Sequence, residues 1–203
     1  MRTLVTAPTD DRVWSDSSLS WLVRPGAEVI EERSGGSRIG ASDVAAVRAT
    51  CDLFAAGGDA RGAQQALGQA VRLFEKRLPE DDPQWIRYFD DSELASELSH
   101  TFGDLRCGND VIASARQYLA SGGGSVRTTF FVIMKLAGGH LDLGEVEEAC
   151  RTVRQALDLG SQLRSARCAE YVREFRSRAT EFVGNAAYRD LAEGAVGHRL
   201  WGY

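Results

Sequence analysis

The stretch FFVIMKLAGGHLDLGEVEEACRTVRQALDLGSQL, residues 130–163, reads as two amphipathic helices broken by one glycine turn. Apolar residues recur at helical spacing on both sides of Leu141-Asp142-Leu143-Gly144, and Gly144 is the residue type that most readily ends a helix. Small Ala137 takes the close-packing site of the first helix, Gly144 the turn, and Ala149, Val153 and Ala156 the packing sites of the second. A lone helix pair cannot bury its apolar face, so the same pattern is expected elsewhere in the chain.

Outward from this stretch the pattern recurs. Residues 44–77 place Cys51, Gly58, Ala63, Leu67 and Ala70 at the same five sites. Residues 96–129 offer Gly103, Ala115 and Leu119, with Asp110 at the turn and Gly122 at the last site. Ser42 caps a helix carrying Val44, Val47, Cys51 and Phe54, Gly57-Gly58 ends it, and a partner helix runs from Ala60 to Leu78. Asp90 and Glu93 have capping-box spacing and open a helix with Leu94, Leu98 and Phe102. Its partner carries Ile112, Ala115 and Leu119 up to Gly122-Gly123-Gly124, and a fourth pair joins Gln162–Val183 to Ala186–Leu200. No hairpin dipeptide flanked by alternating apolar residues appears, so the fold class is all-α.

Over roughly residues 44–163 the chain resembles the tetratricopeptide repeat, and the architecture this implies is a tetratricopeptide-like α-solenoid of about four helix hairpins. Residues 1–40, rich in Asp, Ser, Thr, Pro and Gly around a short apolar patch, read as a partly ordered N-terminal arm with one docking turn. Residues 41–203 read as a single helical-repeat domain.

Composition limits the function classes. The 203 residues hold 24 basic and 29 acidic side chains, a net charge of −5, so a broad basic footprint for nucleic acid is missing. The longest apolar run, Phe130 to Met134, falls far short of the ~18–20 residues of a membrane span. No apolar segment follows Met1-Arg2-Thr3-Leu4 before Pro8 and Asp10, so no secretory signal is expected and the cytoplasm is the expected location. Cys51, Cys107, Cys150 and Cys168 match neither a CxxC pair nor a disulfide framework, and read as free thiols. Charge is uneven: residues 79–110 carry nine acids and two arginines, residues 151–203 nine arginines and six acids. Attraction between such regions, within a chain or across a homodimer, is one expectation.

Three phrases carry a narrower resemblance: Arg38-Ile39-Gly40-Ala41-Ser42-Asp43-Val44-Ala45-Ala46-Val47-Arg48-Ala49-Thr50, then Trp85-Ile86-Arg87-Tyr88-Phe89-Asp90 with Glu93-Leu94, then Gly144-Glu145-Val146-Glu147-Glu148-Ala149-Cys150. Together they resemble the tetratricopeptide-like C-terminal region of actinobacterial helix-turn-helix transcriptional regulators, without the DNA-binding domain. The resemblance implies a region that senses a signal or partner in transcription regulation, with no direct nucleic-acid contact.

Residues able to carry chemistry are sparse. Glu97 and His100 have the E-x-x-H spacing of a metal-ligand pair, but no second copy exists, and neither metal nor cofactor is expected. His140 stands where the repeat usually has an aromatic and reads as packing, and His198 has no nucleophile or carboxylate at a telling spacing. Gly122-Gly123-Gly124-Ser125 lacks the ending of a phosphate loop and reads as a hinge. Arg164, Arg167, Arg173, Arg176 and Arg178 alternate with Glu170, Glu174 and Glu181, as in a salt-bridged solvated face. Trp85, Tyr88 and Phe89, bracketed by acids, read as a loop pinned to the core.

Solenoids of this kind bind extended peptides or partner helices on the face made by the first helix of each hairpin. Projecting the repeat's inward positions selects Arg48 and Asp52, then Glu97, His100 and Asp104, then Phe131, Met134, Lys135 and Leu141. Such a groove is acidic in its middle and apolar at one end, suited to a basic peptide with a hydrophobic anchor. Three functions follow in order: a non-catalytic module binding a peptide or protein partner, a domain sensing a small-molecule signal, and an enzyme on a helical scaffold.

Overall fold

The computed structural model describes residues 4–6, 28–30, 60–76, 84 and 89–202. The helix expected from Ser42, the groove residues Arg48 and Asp52, Cys51 and the aromatics Trp85 and Tyr88 lie outside these residues. The chain divides into two compact units, Met1–Asp90 and Asp91–Tyr203.

In the first unit β1 (Leu4–Thr6) pairs antiparallel with β2 (Glu28–Ile30), Leu4 opposite Ile30. The ladder falls in the stretch read from sequence as an arm. Helix α1 (Ala60–Lys76) follows. Its stripe Ala63, Leu67, Ala70, Val71 and Phe74 is buried, as the periodicity requires, and Phe74 meets Phe89 edge to face at 6.0 Å.

The second unit is helical throughout: α2 (Asp91–Asp104), α3 (Gly108–Ala120), α4 (Val126–Asp142), α5 (Val146–Gly160), α6 (Ala166–Arg178), a 3-10 turn (Ala179–Phe182) and α7 (Ala186–Gly194). Apart from the short ladder, the regular elements among the described residues are helices, so the fold is all-α.

Side-chain neighbours set the helix directions. His100 and Asp104 of α2 meet Phe131 and Lys135 of α4, while Phe131 and Asp142 of α4 meet Tyr171 and Arg178 of α6. Helices α2, α4 and α6 therefore run parallel. Helix α3 runs against α4, because a Cβ on Gly139 would meet Val111 at 3.0 Å while the Tyr118 hydroxyl reaches Thr129 Oγ1 at 3.2 Å. Helix α5 returns along α4 through the Leu143-Gly144 turn, where Gly144 takes φ +74.

The hairpins α2–α3 and α4–α5 match at a spacing different from the sequence windows. Their first helices end at Asp104 and Asp142, and their second helices begin at Gly108 and Val146, each pair 38 residues apart. Arg106 occupies the place of Gly144, with a left-handed φ of +58. At this spacing the packing sites of α3 are Val111, Ala115 and Tyr118, all essentially inaccessible, against Ala149, Val153 and Ala156 of α5. Ile112 and Leu119, expected to face inward, pack at the edge of the core instead.

Two close approaches fix α4. Gly139 faces α3, where a Cβ would stand 3.1 Å from Gly108 O as well as against Val111. Gly138 makes room for Arg178, whose Nη1 would lie 2.7 Å from an added Cβ. Gly139 thus lets α4 touch α3 at backbone distance, and Gly138 lets the Arg178 guanidinium of α6 reach the α4 backbone, a closeness the repeat pattern assigns to Ala137 alone.

Candidate functional site

Helices α2, α4 and α6 each carry a stripe at i, i+4, i+7, i+11 spacing: Glu93, Glu97, His100 and Asp104, then Phe131, Lys135, Gly138 and Asp142, then Arg167, Tyr171, Glu174 and Arg178. Side chains from these stripes meet one another across the helices.

At the centre, Phe131 and Tyr171 stack tilted, with ring centroids 4.9 Å apart. His100 presents its ring edge to face with both, at 6.5 and 6.1 Å, and its Nδ1 shares a 3.2 Å hydrogen bond with the Tyr171 hydroxyl. Three cations cover the aromatics. Arg127 and Arg167 lie 5.7 and 5.1 Å from the Phe131 centroid, and Lys135 Nζ lies 5.3 Å from that of Tyr171. Arg167 also donates to the Tyr171 hydroxyl at 3.4 Å.

The cations differ in their partners. Lys135 Nζ donates to Asp104 Oδ1 at 2.7 Å, with its side chain only 11% exposed, and glycine at 103 leaves room for its stem. Arg178 donates to Gly138 O and Asp142 Oδ1 at 2.8 and 2.7 Å, closing the far end of the face with a partly buried ion pair. Arg127 and Arg167 are exposed, and neither pairs with a carboxylate among the described residues. Both stand in the first turn of their helices, where no acid offsets them and the helix dipole disfavours a cation.

The expected groove residues therefore separate into groups. His100, Asp104, Phe131 and Lys135 come together on one face. Glu97 shares their stripe, half-buried. Met134 and Leu141 lie with Ala137, Ala149 and Cys150 in the core, buried rather than presented as anchors. Phe131 itself is 7% exposed beneath its arginines. The face is cationic at the Phe131 end, where the sequence pattern suggested an apolar one.

Sequence reading passed over Arg127, Arg167 as a contributor to the face, and Tyr171. A signal for all three exists: Arg127 stands four residues before Phe131 and Arg167 four before Tyr171, the same arginine-aromatic spacing on two helices. The salt-bridged helix expected around Arg167 does not form. Glu170, Glu174 and Glu181 make no ion pair among the described residues, because Arg167, Arg176 and Arg178 lie over Phe131 and Tyr171, over Trp201, and on Asp142 respectively.

The other reactive side chains are structural. Buried His140 holds Glu145 Oε2 2.6 Å from its Nδ1 and fastens the α4–α5 turn, and His198 Nδ1 accepts from the Leu200 N–H at 3.2 Å. Cys150 and Cys168 are free thiols, and burial pushes the Cys150 thiol above its ordinary range despite the opposing charge of Arg154. Among the described residues no three His, Cys, Asp or Glu side chains converge as a metal site, and no helix is long and apolar enough to cross a membrane. No family model, curated protein or solved structure matches the chain, so this face of α2, α4 and α6 is the feature from which its function is read.

Proposed function

We propose that residues 91–203 form a tetratricopeptide-like solenoid that binds a peptide or protein partner, without catalysis, on the face made by α2, α4 and α6. The observation that carries this reading is the set of three parallel first helices whose side chains meet along one face, His100 with Phe131 and Tyr171, and Asp104 with Lys135. Helices α3 and α5 pack behind them, which is the layering that lets stacked hairpins offer a continuous binding surface. The 38-residue spacing of the two hairpins departs from the 34 residues of the family repeat by about one helical turn, so the same helix faces stay aligned. A role in transcription regulation rests on the resemblance of the Arg38, Trp85 and Gly144 phrases to regulator C-terminal regions.

Peptides selected from a displayed random library against the full chain test this. Their amide-shift footprint is expected on α2, α4 and α6. A footprint confined to α3, α5 and α7, or a selection that enriches nothing, overturns the proposal.

A further inference from the structure

We infer that the Phe131 end of this face takes an acidic peptide segment, its carboxylates held by Arg127 and Arg167. The inference rests on the proposed binding face and reverses the charge of the partner that the sequence alone suggests.

The argument begins with what the cations already hold. Lys135 and Arg178 are neutralised by Asp104 and Asp142. Arg127 and Arg167 are exposed and lack a carboxylate partner among the described residues, yet both lie over the same ring, Phe131. Stability does not account for this placement. An exposed cation–aromatic contact contributes less than the rotamer entropy lost in ordering a long arginine side chain. The contacts instead hold both guanidiniums beside one ring with donors to spare, Arg167 giving one N–H to the Tyr171 hydroxyl, and a guanidinium with spare donors can grip a carboxylate through parallel hydrogen bonds.

Charge complementarity decides the kind of partner. A basic peptide meets two unneutralised guanidiniums and finds Asp104 already occupied by Lys135. Nucleic acid is disfavoured because exposed Glu170 and Glu174 share helix α6 and the chain carries a net −5, whereas a phosphate backbone needs a continuous basic track. A short acidic segment needs only local attraction. The distant negative charge is screened beyond about 8 Å at physiological salt, while groups in contact are not.

The test uses fluorescence anisotropy on the full chain with three labelled probes: a peptide of alternating Glu and Ala, its Lys and Ala counterpart, and a short DNA duplex. The Glu peptide is expected to bind best and to weaken as sodium chloride rises. Arg127→Gln and Arg167→Gln are each expected to weaken it about tenfold, and the double charge reversal to Glu to abolish it. Arg173→Glu, elsewhere on α6, serves as the control and leaves binding unchanged. Circular dichroism melts establish that each variant is folded. Preference for the Lys peptide, or equal loss in Arg173→Glu, overturns the acidic-segment inference and leaves the binding face standing. Preference for the duplex, or no binding of either peptide by folded protein when library selection also fails, overturns both.

Discussion

Tyr171 on α6 and His100 on α2 share a hydrogen bond of 3.2 Å although α4 lies between their helices. The bond passes over Phe131, whose ring touches both, so the two outer helices of the face are tied together above the middle one. A face bridged in this way keeps Phe131 covered and leaves the arginines as its outermost groups. This end of the face consequently presents charge first and apolar surface second.

Removing the Tyr171 hydroxyl separates the bridge from the ring. Tyr171→Phe keeps the stack on Phe131 and the contact with Lys135 and loses the hydrogen bond, at a cost of about 0.5–1.5 kcal/mol. Tyr171→Ala loses both and uncovers Phe131, so it is expected to cost at least twice as much. Urea denaturation of the two variants checks the order. Equal effects would mean that the ring stack contributes nothing.

The glycine doublet of α4 makes a second expectation. Gly139→Ala gains helix propensity of about 1 kcal/mol, but its Cβ meets Val111 at 3.0 Å and the backbone oxygen of Gly108 at 3.1 Å. Overpacking of this kind costs about 1–3 kcal/mol, and since backbone cannot turn aside the clash is expected to win. Gly194→Ala, at the end of α7 with no neighbour within 4 Å, should gain about 0.5–1 kcal/mol. Thermal melts of the two variants should move in opposite directions.

Arg106 and Gly144 hold the same place in successive hairpins and the same left-handed backbone, φ +58 and +74. That conformation costs a residue with a Cβ about 1–2 kcal/mol, against about 0.5–1 kcal/mol of extra chain entropy for glycine. Arg106→Gly is therefore expected to stabilise slightly, even with loss of the long 3.4 Å contact to Asp142, and Gly144→Ala to destabilise. Chemical denaturation of the pair decides whether the two turns are equivalent.

Arg106 also explains where the sequence pattern misleads. Small residues at regular intervals make the packing sites legible: Ala63, Ala70, Ala137, Ala149 and Ala156 are all buried to within 1% exposure. A turn made by arginine carries no such mark, so the α2–α3 hairpin aligns in sequence one helical turn late, with Asp110 in place of Arg106. Because one turn returns to the same face, the face survives the slip, and His100 and Asp104 meet Phe131 and Lys135 on it. Within each helix the arginine–aromatic spacing of four is legible at Arg127–Phe131 and Arg167–Tyr171, but the union of the two pairs is not. Tyr171 lies 71 residues from its hydrogen-bond partner His100, and only packing of α6 beside α4 and α2 brings these groups together.

Thiol reactivity offers a test of the core. Cys150 is inaccessible, and burial holds its thiol above the ordinary range, so both access and thiolate fraction are low. Cys168 is equally inaccessible, while Cys107 is partly exposed between α2 and α3. Of these three, Cys107 is expected to be alkylated first in native protein and Cys150 only on unfolding. Mass spectrometry after brief iodoacetamide treatment reads the order, and early labelling of Cys150 would contradict the packing of α5.

Asn185 joins the two ends of the last packing layer. Its Oδ1 accepts from the Ala187 N–H at 2.8 Å and caps α7, and its Nδ2 donates to Glu147 Oε1 at 3.0 Å. That donation first, and a hydrogen bond from the backbone N–H of Glu147 second, hold the Glu147 carboxyl below the usual range. A depressed folded-state pKa means stabilisation present above the unfolded value and lost as pH falls through the folded one. Glu147 is fully exposed, so the effect on stability is small and the titration itself is the clearer readout. Asn185→Asp keeps the cap, since Asp and Asn cap equally well, but replaces the donor with a second carboxylate. The Glu147 titration followed by NMR is then expected to move upward, past its ordinary value, while α7 stays formed. An unmoved titration would show that Asn185 does not hold Glu147, and with it that the start of α7 does not rest on the start of α5.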